Sequence, residues 1–75
     1  MKYKVKLNSV DDAVSMVNEL ERWGQPVDAM VGSTVVDATS IMGLIYLGVG
    51  KTIELMVQGK LTEEVRETIK KYQVA

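Results

Sequence analysis

Apolar and polar residues alternate strictly from Met1 to Leu7. Tyr3, Val5 and Leu7 point one way, and Lys2, Lys4 and Lys6 the other, which is the two-residue period of a strand with one wet face. At Asn8 the period changes. Ser9 can cap a helix, and Asp12, three residues on, can return a bond to the cap as in a capping box. Asp11 and Asp12 also stand where the helix dipole favours negative charge. Val10, Ala13, Val14, Val17 and Leu20 then read as the buried stripe, with Glu19, Glu21 and Arg22 facing water. Trp23 closes the last turn and Gly24 ends it. After Gln25-Pro26, Val27, Ala29 and Val31 alternate with Asp28 and Met30 as a second strand. Gly32-Ser33 is a turn, and Thr34-Val35-Val36 returns as a third strand.

From Ser40 the helical spacing resumes, with Ile41, Leu44 and Ile45 in register and Gly48 as the stop. Gly48-Val49-Gly50 reads as a loop. Ile53, Leu55 and Val57 then alternate with Thr52, Glu54 and Met56 as a fourth strand, and Gln58-Gly59-Lys60 turns. Thr62 caps a last helix with Glu63 and Glu64 in its first turn. Leu61, Val65, Ile69 and Tyr72 form its inner face, and Lys70 and Lys71 stand near its negative end. The order is βαββαβα. The tight turn implies an antiparallel pair, and helices must cover one sheet face. A ferredoxin-like arrangement shares most of this order, and the pattern leaves it open. The expected core is Val5, Leu7, Val14, Val17, Leu20, Leu44, Leu47, Ile53, Leu55, Val65 and Ile69.

Composition narrows the function classes. Seventy-five residues make one domain, 1–75, that buries only roughly 60% of its unfolded surface. With no Phe and a single Trp, the core must be aliphatic. The net charge of −1 is made of interspersed signs, which gives no nucleic-acid footprint. Without cysteine there is no disulfide framework or thiolate metal site. Without histidine the commonest metal ligand and proton shuttle are gone. The start, Met-Lys-Tyr-Lys, lacks the apolar core of a signal peptide, and no apolar run reaches the ~20 residues that span a bilayer. A cytoplasmic protein without a cofactor, a bound metal or an enzymatic activity is expected.

Candidate chemistry is sparse. Gly48-Val49-Gly50-Lys51-Thr52 resembles the tail of a phosphate-binding loop, but Ile45 stands where the first glycine is needed and a strand follows instead of a helix. Glu63, Glu64 and Glu67 read as a solvated helix face. Ser40 is a helix cap, and a phosphate there would meet free N–H groups and a favourable dipole. In so short a helix, burial of Leu44 and Leu47 turns Met42 outward and leaves Ile45 at the margin. With Ile41 these two form a candidate partner-binding patch.

The motif Ser-Ile-Met-Gly-Leu-x-x-Leu-Gly at 40–48, preceded by Val-Asp-Ala, resembles the regulatory serine segment of HPr, the histidine-containing phosphocarrier of the bacterial sugar phosphotransferase system. The length and element order fit that family along nearly the whole chain. The resemblance implies an α+β open-faced sandwich: a four-stranded antiparallel sheet in the order 1-4-2-3 with three helices on one face. It also places Asp11 at the position of the phosphorylated histidine, Ala13 where the family has an arginine, and Val14 where a proline follows. All three parts of the phosphocarrier motif are replaced.

The chain therefore resembles the histidine-less HPr paralogues, which act in carbon catabolite regulation. The resemblance implies Ser40 as a phosphorylation site, with Ile41, Met42 and Ile45 as a docking surface. The implied partners are a serine kinase of the HPr type and a catabolite-control transcription factor, with no direct contact to nucleic acid or membrane. A monomer or weak homodimer is expected. Two other readings stay open: a phosphocarrier working through Asp11 as an atypical acceptor, and a structural or oligomerising domain without phosphate chemistry.

Overall fold

Each helix begins at a hydroxyl. Ser9 Oγ accepts from Asp12 N at 3.1 Å, Ser40 Oγ from Gly43 N at 3.0 Å, and Thr62 Oγ1 from Val65 N at 3.3 Å, so each side chain satisfies an N–H that the helix itself leaves unpaired. The computed structural model describes residues 2–74; Met1, read above as part of the first strand, lies outside the described residues. The elements run β1 (Lys2–Lys6), α1 (Val10–Trp23), β2 (Val27–Val31), β3 (Thr34–Asp37), α2 (Ile41–Leu47), β4 (Thr52–Val57) and α3 (Glu63–Tyr72). At α1 the capping box is reciprocal, since Asn8 N donates to Asp12 Oδ2 at 3.0 Å. Gly24 ends α1 with φ 72°, a left-handed conformation that favours glycine.

The strands form one antiparallel sheet in the order β1-β4-β2-β3. This is the 1-4-2-3 order expected above, and it excludes the ferredoxin-like alternative. Register follows the alternation. Val5 pairs with Ile53, and Leu55 with both Tyr3 and Ala29, so the apolar sets of three strands share one face. Val5, Ile53, Leu55 and Ala29 are fully buried there beneath the helices. The opposite face carries Lys2, Lys4, Lys6, Glu54, Met56, Asp28 and Met30. One free edge is padded in a way the pattern did not signal: Val74 N donates to Lys4 O at 2.9 Å, and Val5 bridges to Gln73, which covers backbone groups that an edge strand leaves unpaired.

Helix α1 is rotated relative to the expected stripe. Ala13, Met16, Val17 and Leu20 are buried, whereas Val10 is 50% exposed and Val14 37% exposed. The buried set follows the i, i+3, i+4, i+7 rule, and Val14 lies about 100° around the helix from Ala13. Met16 thus holds the buried place that the expected stripe gave to Val10 and Val14, and Ala13 keeps its own. The rest of the expected core is buried.

Glu19 is a second correction. It does not simply face water; its side chain is only 22% exposed. It accepts from Lys71 Nζ at 2.8 and 2.9 Å, and Thr68 Oγ1 lies 3.0 Å from it. Trp23 Nε1 donates to the same Thr68 oxygen at 3.1 Å. Thr68, 1% exposed, thus joins α1 to α3, and its burial is tolerated because its oxygen is bonded.

The donated bond from Lys71 lowers the Glu19 pKa, against a smaller opposing effect of burial, and the same contact raises that of Lys71. The folded state therefore binds fewer protons at Glu19 than the unfolded chain near an ordinary Glu pKa of about 4.3. This contribution is present above that pH and is lost as pH falls through the lower, folded-state pKa. The Lys71 contribution is present below the ordinary lysine pKa and is lost as pH rises through its raised one. Denaturation midpoints measured across pH should fall in acid for the wild type and less steeply for Glu19→Gln. A residual acid slope from Asp37, whose pKa is also lowered, should persist in both. Parallel profiles would remove Glu19 from the acid response.

Candidate functional site

Helix α2 is seven residues long, under two turns, and it lies on the third strand. Its start is tied down on three sides. Asp37 Oδ1 accepts from Thr39 N at 2.8 Å and from Thr39 Oγ1 at 2.6 Å, Ser40 N donates to Asp37 O at 3.0 Å, and Leu44 N to Ser40 O at 3.0 Å. The two bonds from Thr39 lower the Asp37 pKa, so this carboxylate stays ionised in mild acid. Asp28 stands directly opposite Asp37, a like-charge pairing that weakens a sheet. The two carboxylates are drawn to different partners, because Asp28 Oδ2 accepts from Gln58 Nε2 at 2.7 Å.

The helix can lie so close to β3 because residue 43 is glycine. A Cβ there would stand 3.0 Å from Val36 Cβ, 3.1 Å from Val36 Cγ2 and 3.2 Å from Ser40 Oγ. Leu44 and Leu47 point inward and are 0% and 6% exposed. The other side of α2 is uncovered: Met42 and Tyr46 are each 79% exposed, and Ile45 is 44% exposed. Ile41, assigned above to the docking patch, is half-buried and packs against the core, so it offers only part of its surface. Tyr46 was missed by the sequence reading. Its position one turn after Met42 was the available signal, since residues four apart share a helix face.

Asp11 sits exposed in the first turn of α1, where Ser9 and Asp12 make the cap and the Asp11 side chain makes no hydrogen bond among the described residues. The loop after α2 reaches this end: Gly50 N donates to Leu7 O at 2.7 Å. The phosphate-loop look-alike at 48–52 is thus a turn that holds β4 and the entry to α1 together. This end presents the exposed carboxylate of Asp11, the half-exposed valines of α1, and the free flank of α2. No basic residue precedes Lys51 on the α2 side, and the first turn of α1 is acidic. The arrangement suits contact with another protein.

No protein-family model matches the chain, and no curated protein does. Solved structures do. The chain is 25% identical to the phosphocarrier protein HPr of Bacillus anthracis str. Ames, covering 97% of this chain and 96% of that one with a TM-score of 0.74. It is 22% identical to HPr-C-His of Thermoanaerobacter tengcongensis over 95% of this chain and 85% of that one, with a TM-score of 0.73. It is 14% identical to the histidine-containing phosphocarrier protein of a Mycoplasma over 95% and 89%, with a TM-score of 0.72. The fold and the resemblance read from residues 40–48 therefore agree.

Gly43→Ala tests the seating of α2. The helix should gain roughly 0.5–1 kcal/mol from alanine. Crowding against Val36, whose Cβ moves only with the strand, should cost about 1–3 kcal/mol. Net destabilisation of about 1 kcal/mol is expected in denaturant titrations. A stabilised variant would mean that α2 does not depend on that close approach.

Proposed function

With the HPr fold as premise, we propose that this chain is a histidine-less regulatory module that acts by binding other proteins through the outer flank of α2. The observation that carries this reading is the pair Met42 and Tyr46, each 79% exposed on a helix whose inner stripe is already used for packing. Large apolar side chains grouped at a surface mark contact sites. Ile45 and the rim of Ile41 extend the patch, and Ser40 stands at its edge. The sequence contains no histidine, so the labile phosphoramidate of a phosphohistidine carrier has no acceptor here. Asp11 is an exposed carboxylate with no ion pair among the described residues, and an acyl phosphate would gain little support there.

Ser40 is the regulatory position in this reading. A phosphoryl group would bring about −1.5 to −2 charges to the edge of the patch. The N–H groups of the first helical turn favour it, and the ionised carboxylate of Asp37 opposes it. Modification should therefore alter binding more than folding. A serine kinase of the HPr type and a catabolite-control transcription factor are the partners that the family resemblance suggests, and a cytoplasmic location goes with them.

Two measurements test the proposal. Incubation with phosphoenolpyruvate and the general phosphotransferase enzyme should leave the mass of the protein unchanged near neutral pH; a stoichiometric adduct within residues 8–12 would restore a carrier role. Wild type, Ser40→Asp, Ser40→Ala and Met42→Lys should then be compared for binding to the purified kinase and transcription factor. Met42→Lys should weaken binding about tenfold, as loss of a central apolar contact does, and Ser40→Asp should differ from Ser40→Ala. Equal binding by all four proteins would place the contact elsewhere.

A further inference from the structure

Helix α3 sorts its charges by side. Glu63, Glu64 and Glu67 line a groove beside Trp23, while Arg66 and Lys70 line a cleft between α3 and β1. The cleft has a volume of about 380 Å³ and is bounded by Tyr3, Leu61, Arg66, Ile69, Lys70 and Gln73. Ile69 is buried and Leu61 packs against the core, so the apolar part of the lining belongs to the rigid interior. The Gln73 end is held by the bridge to Val5 and by the bond from Val74 N to Lys4 O. Arg66 and Lys70 are four residues apart and share a helix face, where like charges cost the helix a little. Among the described residues neither has a carboxylate within ion-pair reach. The ion pair that α3 does make, Lys71 with Glu19, is on its other side.

We propose that this cleft binds a small organic anion, a carboxylate or phosphate monoester with an apolar body. Arg66 and Lys70 hold the charged group, and Leu61, Ile69 and Tyr3 hold the body. The volume lies in the range of small-molecule sites, which combine apolar lining with a few convergent polar groups. A guanidinium presents paired donors to two oxygens of one anionic group, and the lysine adds a second cation. An inorganic ion would leave the apolar lining unused. No residue of α2 takes part, so the site is independent of the protein-binding flank.

Phenyl phosphate is a suitable probe, with inorganic phosphate and benzyl alcohol as controls, read by amide chemical shifts of the whole chain. Phenyl phosphate should give saturable shifts centred on Tyr3, Leu61, Arg66, Ile69, Lys70 and Gln73. Each control should bind about tenfold more weakly, since each keeps only half of the recognition. Arg66→Gln/Lys70→Gln should abolish saturation while the thermal midpoint holds, both residues being exposed. Shifts centred elsewhere, no saturation in the millimolar range, an equal response to inorganic phosphate, or an unchanged response in the folded double variant would each overturn the proposal.

Discussion

A seven-residue helix has one stripe to bury, and helix α2 uses it fully. Leu44 and Leu47 take the interior, Ser40 closes the N-terminus, and Gly43 brings the backbone against Val36. A chain of this size gains much of its stability from such close packing, because its margin is small. Once the inner stripe is fixed, helical geometry leaves Met42 and Tyr46 with nowhere to go but outward. The exposed flank is a consequence of the length of the element, and its apolar composition is the basis of the contact site proposed above.

The rest of the molecule holds that flank in place. The α1–α3 clasp of Trp23, Thr68, Glu19 and Lys71 fixes the two long helices over the sheet. The bond from Gly50 to Leu7 then brings the loop after α2 to the entry of α1. This end presents the exposed carboxylate of Asp11, while Ala13, two residues on, is buried in the core. The fold is that of the phosphocarrier structures the chain resembles, and the sequence holds no histidine.

Much of this was legible in the sequence because each element signals itself locally. Strict alternation gave β1 and β4 their faces, and Ser9, Ser40 and Thr62 marked the helix starts. The strand order came from the resemblance at 40–48, since alternation alone cannot say which strands are neighbours. The stripe of α1 was misjudged because Val10, Val14 and Val17 also repeat at helical spacing, and only the sheet beneath decides which of two overlapping stripes is buried. Thr68, the partial burial of Glu19 and the padding of β1 by Gln73 and Val74 depend on contacts between distant segments, which carry no local signal. Tyr46 stands four residues after Met42 on the same helix face, a relation that the helical period does carry.

The central claim is that the outer flank of α2 serves binding and not folding. The most direct measurement is the denaturant unfolding free energy of Met42→Lys/Tyr46→Lys. Substitutions at exposed sites usually change stability by no more than about 0.5 kcal/mol each, so the double variant should unfold within about 1 kcal/mol of the wild type. A loss of several kcal/mol, of the size seen when core side chains are removed, would show that these residues are part of the folded core and would contradict the account.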